Sequence, residues 1–196
     1  VYMINRKSPK KNLSADLIND KLLIKRTLKT ILYFTKQHIR NQVESGATLI
    51  QIFDSWAGLV KKKNLQKLVY DPTLELVKFT KKLKVPVICF PRNIDNYKEY
   101  TRIVKPDVIS IDYNTDIKKI SKQINIPIQG GLDPKILLTD KDRIKKEAIK
   151  ILNVFKDHPY VFNLGHGITP DVNPERVKEL IHAVHEFSFK SHLRSC

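Results

Sequence analysis

The chain has 196 residues, of which 41% are hydrophobic and 29% charged, which is the balance of a folded domain and excludes a disordered protein. Its longest apolar runs fall far short of the roughly 20 residues of a membrane span, no secretory leader precedes them, and two cysteines are too few for a disulfide framework, so we expect a cytoplasmic protein. The net charge of +16 comes from 36 basic and 20 acidic residues spread along the chain, which favours a solvated lysine-rich surface over a nucleic-acid interface and leaves a polyanionic small molecule open.

Helix and strand patterns alternate along the chain. A first helix is predicted over Lys25–Ser45, where apolar side chains keep mostly to one face and Gly46 stands at the position of a C-cap glycine. Apolar spacing after the sequence DPT predicts a second helix, and the segment TDIKKISKQI has room for about two to three turns. Lys141–Phe155 carries a continuous apolar stripe, and Asn173 with Pro174 predicts the N-cap and first turn of a last helix.

Between these helices lie short apolar segments rich in β-branched residues. Near-continuous apolar runs of this length are typical of strands buried on both faces, and strands that alternate with helices predict a parallel β/α architecture. The predicted strands are Ala47–Phe53, Val85–Phe90, Asp107–Asp112, Ile126–Gly130 and Tyr160–Leu164.

Polar side chains collect at the carboxyl ends of these predicted strands, where α/β folds bind their ligands. They are Asp54, Ser55, Arg92, Asp112, Gln129, Asn163 and His166. No glycine-rich phosphate loop of nucleotide-binding spacing occurs in the sequence, which favours a (β/α)8 barrel over a doubly wound sheet. Five strands cannot close a barrel of eight, so we expect a partial TIM barrel of the α/β class.

The most conspicuous polar residue is His166, which stands between Gly165 and Gly167 after an apolar run. Glycine weakens a core strand, so two glycines at this place indicate a site rather than packing. They would allow unusual φ values and a close approach of a ligand to the backbone, while the imidazole supplies a hydrogen-bond donor. The structural alternative is a histidine that donates to a backbone carbonyl.

Four motifs carry a resemblance to a known family. In chain order they are VYMI at residues 1–4, GATLIQIFDSWAG at residues 46–58, IQGGLDP at residues 128–134 and FNLGHGITPDVNPERV at residues 162–177. Together they resemble the C-terminal portion of the uroporphyrinogen decarboxylases over essentially all 196 residues. This resemblance implies a single domain, residues 1–196, that forms strands four to eight of a (β/α)8 barrel, with the first three strands missing.

The resemblance also implies an activity in haem biosynthesis, the decarboxylation of the four acetate side chains of uroporphyrinogen III to give coproporphyrinogen III, with no metal or other cofactor. By position, Tyr2, Ser55 and His166 resemble the family's substrate-binding residues. The family's catalytic aspartate belongs to the missing strands, so no catalytic residue is assigned, and whether the fragment is active alone stays open. A homodimer is implied if the barrel is complete.

Each candidate also has a structural interpretation. Tyr2 lies close to a chain end, and Ser55 could be the N-cap of a helix after the strand. Arg92 is attractive as a partner for a carboxylate, because a guanidinium makes bidentate contacts, but we favour a solvated arginine. Here the sequence PRNID departs from the lysine- or glycine-containing turn often seen in the family.

The remaining strand-end residues are expected to bind backbone groups, shape turns or cap helices. Asp54 and Asp112 could accept hydrogen bonds from backbone amides instead of contacting a ligand. Gln129 and Asp133 are expected to shape the QGGLDP turn and to cap the helix that follows it.

Three other functions stay open on the sequence. A related zinc-dependent methyltransferase is disfavoured, because its His-x-Cys element would need a histidine where Val87 precedes Cys89. A polyanion- or nucleic-acid-binding module predicts clustered basic residues with stacking aromatics, and the lysines here are dispersed. The third alternative is an inactive relic of the decarboxylase.

Overall fold

A computed structural model describes residues 20–193, with side chains as far as residue 187. The chain divides into two compact units between Val108 and Ile109. Five strands alternate with helices along the described part, and every strand pairs in parallel with a neighbour of its own unit. This arrangement confirms the predicted α/β class and is that of a partial TIM barrel. The expectation of one domain over residues 1–196 stays a prediction.

The first unit contains the helices and strands as far as residue 108. They are α1 (Lys21–Glu44), β1 (Ile50–Asp54), a 3-10 turn (Ala57–Leu59), α2 (Lys62–Leu65), a π-helical turn (Gln66–Tyr70), α3 (Asp71–Lys82), β2 (Val87–Pro91) and α4 (Tyr97–Val104). The two strands run in parallel with Phe53 opposite Phe90, so their carboxyl ends lie side by side.

Helix α1 ends where the sequence predicts, at a Schellman motif. Gly46 has φ of +101°, which suits glycine and few other residues. Its N–H donates to the carbonyl of Val43, and the N–H of Ala47 donates to that of Gln42, each at 2.9 Å. This turn leads the chain directly into β1.

The core of the first unit lies on one face of β1. Ile50 packs with Ile39 of α1 and Leu76 of α3, which are all at most 8% exposed. Because successive strand side chains point to opposite faces, Phe53 lies on the other face, where 66% of it is exposed. The helices therefore determine which β1 side chains remain accessible.

The helix before β2 is longer than predicted, because the sequence after DPT indicates only α3. Pro72 has no N–H, and its ring would collide with the carbonyl four residues earlier in a regular helix. The π turn accommodates it: the N–H of Asp71 donates to the carbonyl of Gln66, five residues back. The described helix therefore begins at Lys62 and crosses the proline.

The second unit begins inside β3 and has three parallel strands. Its elements are β3 (Val108–Ile111), α5 (Ile117–Gln123), β4 (Ile128–Gly130), a 3-10 turn (Pro134–Leu138), α6 (Lys141–Val154), β5 (Tyr160–Val161) and α7 (Pro174–Leu193). Ser110 lies opposite Gln129, and Gln129 lies opposite Val161. The predicted Tyr160–Leu164 strand is shorter than expected, with a separate parallel bridge between Leu132 and Leu164.

Side-chain caps start the helices of this unit, and the sequence predicts those of Asp133 and Asn173. The carboxylate of Asp116 accepts the N–H groups of Lys118 and Lys119, each at 3.1 Å. Asp133 accepts the N–H of Lys135 at 2.9 Å, and Asn173 begins α7 in the same way. The predicted stripe of α6 is buried, with Ile144 and Ala148 fully enclosed. No helix in the described range 20–193 is long and apolar enough to cross a bilayer.

Asp107 ties the start of β2 to the residue before β3. Its Oδ2 accepts the N–H of Val87 at 2.9 Å, and its own N–H donates to the Val87 carbonyl at 3.0 Å. Oδ1 forms a salt bridge with Lys81 at 2.9 Å on the surface. The carboxylate therefore satisfies a buried backbone donor and an exposed ammonium together.

We predict that Asp107→Ala lowers the free energy of unfolding by about 1–3 kcal/mol, because the buried Val87 N–H loses its acceptor. Asp107→Asn keeps an acceptor oxygen and loses only the surface ion pair, so it should cost less than about 1 kcal/mol. Urea unfolding of both variants measures the difference. Equal stabilities would show that the backbone hydrogen bond contributes nothing.

Candidate active site

The first part of the candidate site is the loop after β1. The carboxylate of Asp54 accepts the N–H of Trp56, which closes an Asx turn. Burial raises the pKa of Asp54 above its ordinary value, although the hydrogen bond from Trp56 opposes the shift. The Asp54 carboxylate therefore binds a backbone N–H group, as the structural interpretation of the sequence predicts. Trp56 itself is 47% exposed.

Ser55 follows directly and is not a helix cap. The 3-10 turn Ala57–Leu59 starts after Trp56 without any side-chain cap, so the N-cap alternative for Ser55 is wrong. No residue in the described part of the chain hydrogen-bonds the Ser55 hydroxyl. Ser55 is partly buried and lies directly after the carboxyl end of β1.

Arg92 occupies the matching place after β2. Its N–H donates to the carbonyl of Asp54 at 3.1 Å, and its carbonyl accepts the N–H of Gly58 at 3.0 Å. A Cβ on Gly58 would lie 2.2 Å from the carbonyl oxygen of Asn93, so only glycine fits this contact. The Arg92 Nε is enclosed and has no hydrogen-bond partner. Arg92 is thus partly buried at its Nε, and the expectation of a solvated arginine stays a prediction for the rest of the guanidinium.

In the second unit, the strand-end polar residues also bind the protein itself. Asp112 is 2% exposed, and its Oδ1 accepts the N–H of Asn114 at 2.9 Å. Gln129 donates from Nε2 to the hydroxyl of Ser110 at 3.2 Å, across the β3–β4 pair. Gln129 thus links two strands, whereas the sequence analysis expected it to shape the following turn.

His166 lies in the loop after β5 and is exposed. Its Nδ1 accepts the N–H of Gly167 at 2.5 Å. An Nδ1 that accepts a hydrogen bond carries a lone pair, so the proton of the neutral ring is on Nε2. The backbone therefore selects the tautomer in which Nε2–H is a donor.

The two glycines beside His166 do not adopt the unusual φ values expected of them. Neither has a positive φ; in the described range, the glycines with positive φ are Gly46, Gly130 and Gly131. A Cβ on Gly165 would lie 2.4 Å from the backbone nitrogen of Tyr113. Gly165 is thus required by its contact with the loop after β3, whereas a Cβ on Gly167 would meet nothing within 4 Å. The close approach of a ligand to this backbone stays a prediction.

Two buried polar groups are structural rather than catalytic. Burial raises the pKa of the Cys89 thiol to about 12, opposed by a hydrogen bond with Tyr100. Tyr160 donates its hydroxyl to the carbonyl of Gly130 at 2.6 Å, and burial raises its pKa. Neither contact is signalled by the sequence, because both depend on residues brought together from distant elements.

The structure describes two of the three predicted site residues, Ser55 and His166, and they belong to different units. Ser55 lies with Arg92 in the first unit, and His166 lies beside the loop after β3 in the second. Tyr2 is outside the described residues. Within residues 20–193, no group of three or more His, Cys, Asp and Glu side chains could hold a metal ion.

The chain is similar to known proteins of one family. The sequence model of the family described as Uroporphyrinogen decarboxylase (URO-D) matches residues 1–187. A protein named uroporphyrinogen decarboxylase from Rickettsia bellii (strain RML369-C) is 38% identical over 178 residues, or 89% of this chain and 52% of that protein. One of the same name from Wolbachia pipientis wMel is 39% identical over 161 residues, or 81% and 46%. The chain spans about half the length of these curated relatives.

We predict that Gly165→Ala destabilises the protein by about 1–3 kcal/mol or more, because the added methyl overlaps backbone that cannot easily move. Gly167→Ala is the matched control, and it should change the unfolding free energy by less than about 0.5 kcal/mol. Thermal and urea unfolding compare the two variants. A Gly165→Ala variant as stable as Gly167→Ala would contradict the close approach of the two loops.

A second prediction concerns Asp54. Since its pKa is raised, the unfolded state ionises at lower pH than the folded state, and ionisation opposes folding above the ordinary pKa of 3.8. Asp54→Asn keeps an acceptor for the Trp56 N–H and removes the charge. The variant should be the more stable at pH 7, and this advantage should disappear below pH 3.8. An advantage independent of pH would show that desolvation is not its cause.

Proposed function

The chain belongs to the uroporphyrinogen decarboxylase family, and from this membership we propose that it takes part in the decarboxylation of uroporphyrinogen to coproporphyrinogen in tetrapyrrole biosynthesis. The match of nearly the whole chain to the family's sequence model carries the proposal. Action in the cytoplasm and assembly as a homodimer belong to the same proposal.

The proposed chemistry needs no more than carboxylate binding and proton movement. In each step the bond between an acetate CH2 and its carboxylate breaks, and CO2 leaves. The electron pair passes into a pyrrole ring that has been protonated on carbon. Protonation of the CH2 carbon then gives a methyl group, and the ring carbon releases its proton. The protein has to hold the carboxylates, stabilise the cationic ring and move protons.

The described residues supply donors for the carboxylates. Nε2–H of His166 and the hydroxyl of Ser55 are each suited to donate to a carboxylate oxygen, and such charge-assisted hydrogen bonds are the stronger kind. Tyr2 is proposed as a third contact on the resemblance alone. Asp54 and Asp112 are engaged with backbone N–H groups, so neither is proposed as the proton donor.

The proton donor to the ring is expected in the half of the family's length that this chain does not match. This leads to a direct experiment with the purified chain under anaerobic conditions. Uroporphyrinogen is incubated with the chain alone, and with the chain plus a polypeptide covering the unmatched half of the Rickettsia bellii relative. Products are then separated by their number of carboxylates.

We expect coproporphyrinogen only from the mixture. Product from the chain alone would show that no aspartate from outside the chain is needed and would overturn the proposed division of roles. No product from the mixture, with association of the two parts confirmed by size-exclusion chromatography, would favour an inactive relic.

In the active mixture, His166→Ala should lower kcat/KM by about tenfold to a hundredfold, which is the effect of losing one hydrogen bond to a charged group. His166→Gln should recover part of the loss, because its amide N–H can replace Nε2–H. His182→Ala is the control, since His182 is an exposed histidine on α7. Turnover by His166→Ala equal to that of the control would remove His166 from the site.

A further inference from the structure

Arg92 continues the pairing of β1 and β2 beyond the last strand residues. Phe53 lies opposite Phe90 in the parallel register. The Arg92 N–H donates to the carbonyl of Asp54, which is the next hydrogen bond of the same ladder. Side chains alternate along both strands, so Ser55 and Arg92 occupy the neighbouring positions that follow Phe53 and Phe90 on one face.

That face is the one turned away from the helices. Ile50 packs on α1 and α3, and Cys89 on β2 contacts Tyr100 of α4. The opposite face carries Phe53 and Phe90, whose rings meet edge to face at 6.1 Å between centroids and an interplanar angle of 79°. In this Phe53–Phe90 surface the accessible ring is that of Phe53, which is 66% exposed, whereas Phe90 is 6% exposed beneath it. An exposed aromatic ring therefore lies directly before the two polar side chains.

The guanidinium of Arg92 has no anionic partner among the residues that the structure describes. Its Nε is buried without a hydrogen bond, and the side chain forms no salt bridge with any acidic residue of the described range. The nearby carboxylate of Asp54 is engaged with the N–H of Trp56. A buried, unpaired donor on a cation is costly, and a bound carboxylate would satisfy it with the bidentate geometry that arginine prefers.

We propose that Arg92 forms a carboxylate subsite with the Ser55 hydroxyl, and that the Phe53–Phe90 surface supports the apolar body of the same ligand. The ligand class is an amphipathic polycarboxylate, a flat apolar ring system with carboxylates at its edge. The inference rests on the proposed function, because it assigns Arg92 to one substrate carboxylate. Arg92 is thus a binding residue in the turn where the family often has lysine or glycine.

The test uses the purified chain and uroporphyrin I, a fluorescent ring with eight carboxylates. Fluorescence titration compares the wild type with Arg92→Gln, Arg92→Lys and Arg102→Gln. Arg102 is an exposed arginine of α4 in the same unit, so its variant controls for the loss of one positive charge. Arg92→Gln should bind about tenfold to a hundredfold more weakly, Arg92→Lys should lie in between, and Arg102→Gln should match the wild type.

A second measurement does not depend on the folding of any variant. In chain labelled with 15N-arginine, the Nε–Hε signal of Arg92 should move on titration with uroporphyrin I, and that of Arg102 should stay. Equal binding by Arg92→Gln and the wild type, or a stationary Arg92 signal during binding, would overturn the subsite and leave the proposed function standing. A wild-type chain that does not bind uroporphyrin I would also overturn the subsite, whereas the proposed function is decided separately by the product of the mixture.

Discussion

The structure depends on the packing of one face of β1 and the same face of β2 against helices. Ile50 is fixed against α1 and α3, and Cys89 is fixed against α4. Once these contacts exist, the period of two along a strand decides which side chains face away from them. The same alternation of faces continues into the loop after β1 and the turn after β2, and it brings Ser55 and Arg92 side by side.

Close backbone contacts hold loops in place within each of the two units. Gly58 touches the backbone of Asn93, and Gly165 touches that of Tyr113, each at distances that leave no room for a Cβ. The strand-end aspartates add a second constraint, because Asp54 and Asp112 each close a turn on a backbone N–H. The carboxylates are thus used to shape loops, and the donors at the strand ends of the first unit are the Ser55 hydroxyl and the Arg92 guanidinium. Such a set suits an anionic ligand.

Local patterns in the sequence predict most of the elements. The apolar stripe of α6, the glycine after α1 and the Asn173 cap all appear in the structure, because each depends on neighbours within a few residues. Helix α4 was missed although it has a local signal: Asn96 accepts the N–H of Glu99, an N-cap followed by glutamate three residues later. The extension across Pro72 was missed because a π turn has no comparable sequence signature.

The sequence predicts where the candidate site residues lie along the chain, but it does not predict the contacts that surround them. Strand ends indicate where Ser55, Arg92 and His166 lie, since polar residues follow apolar runs. What surrounds each of them comes from contacts between distant segments. The roles of Gly58 and Gly165 both depend on a loop from another strand. Periodicity carries no information about such contacts.

The buried thiol of Cys89 has a consequence for the kinetics of the first unit. A thiol with a pKa of about 12 is almost entirely protonated at neutral pH, and the thiolate is the reactive form. Cys89 is also fully enclosed, at 0% exposure. A thiol reagent can therefore react with Cys89 only after β2 separates from α4. The rate of Cys89 labelling then measures the local opening of the strand that leads to Arg92.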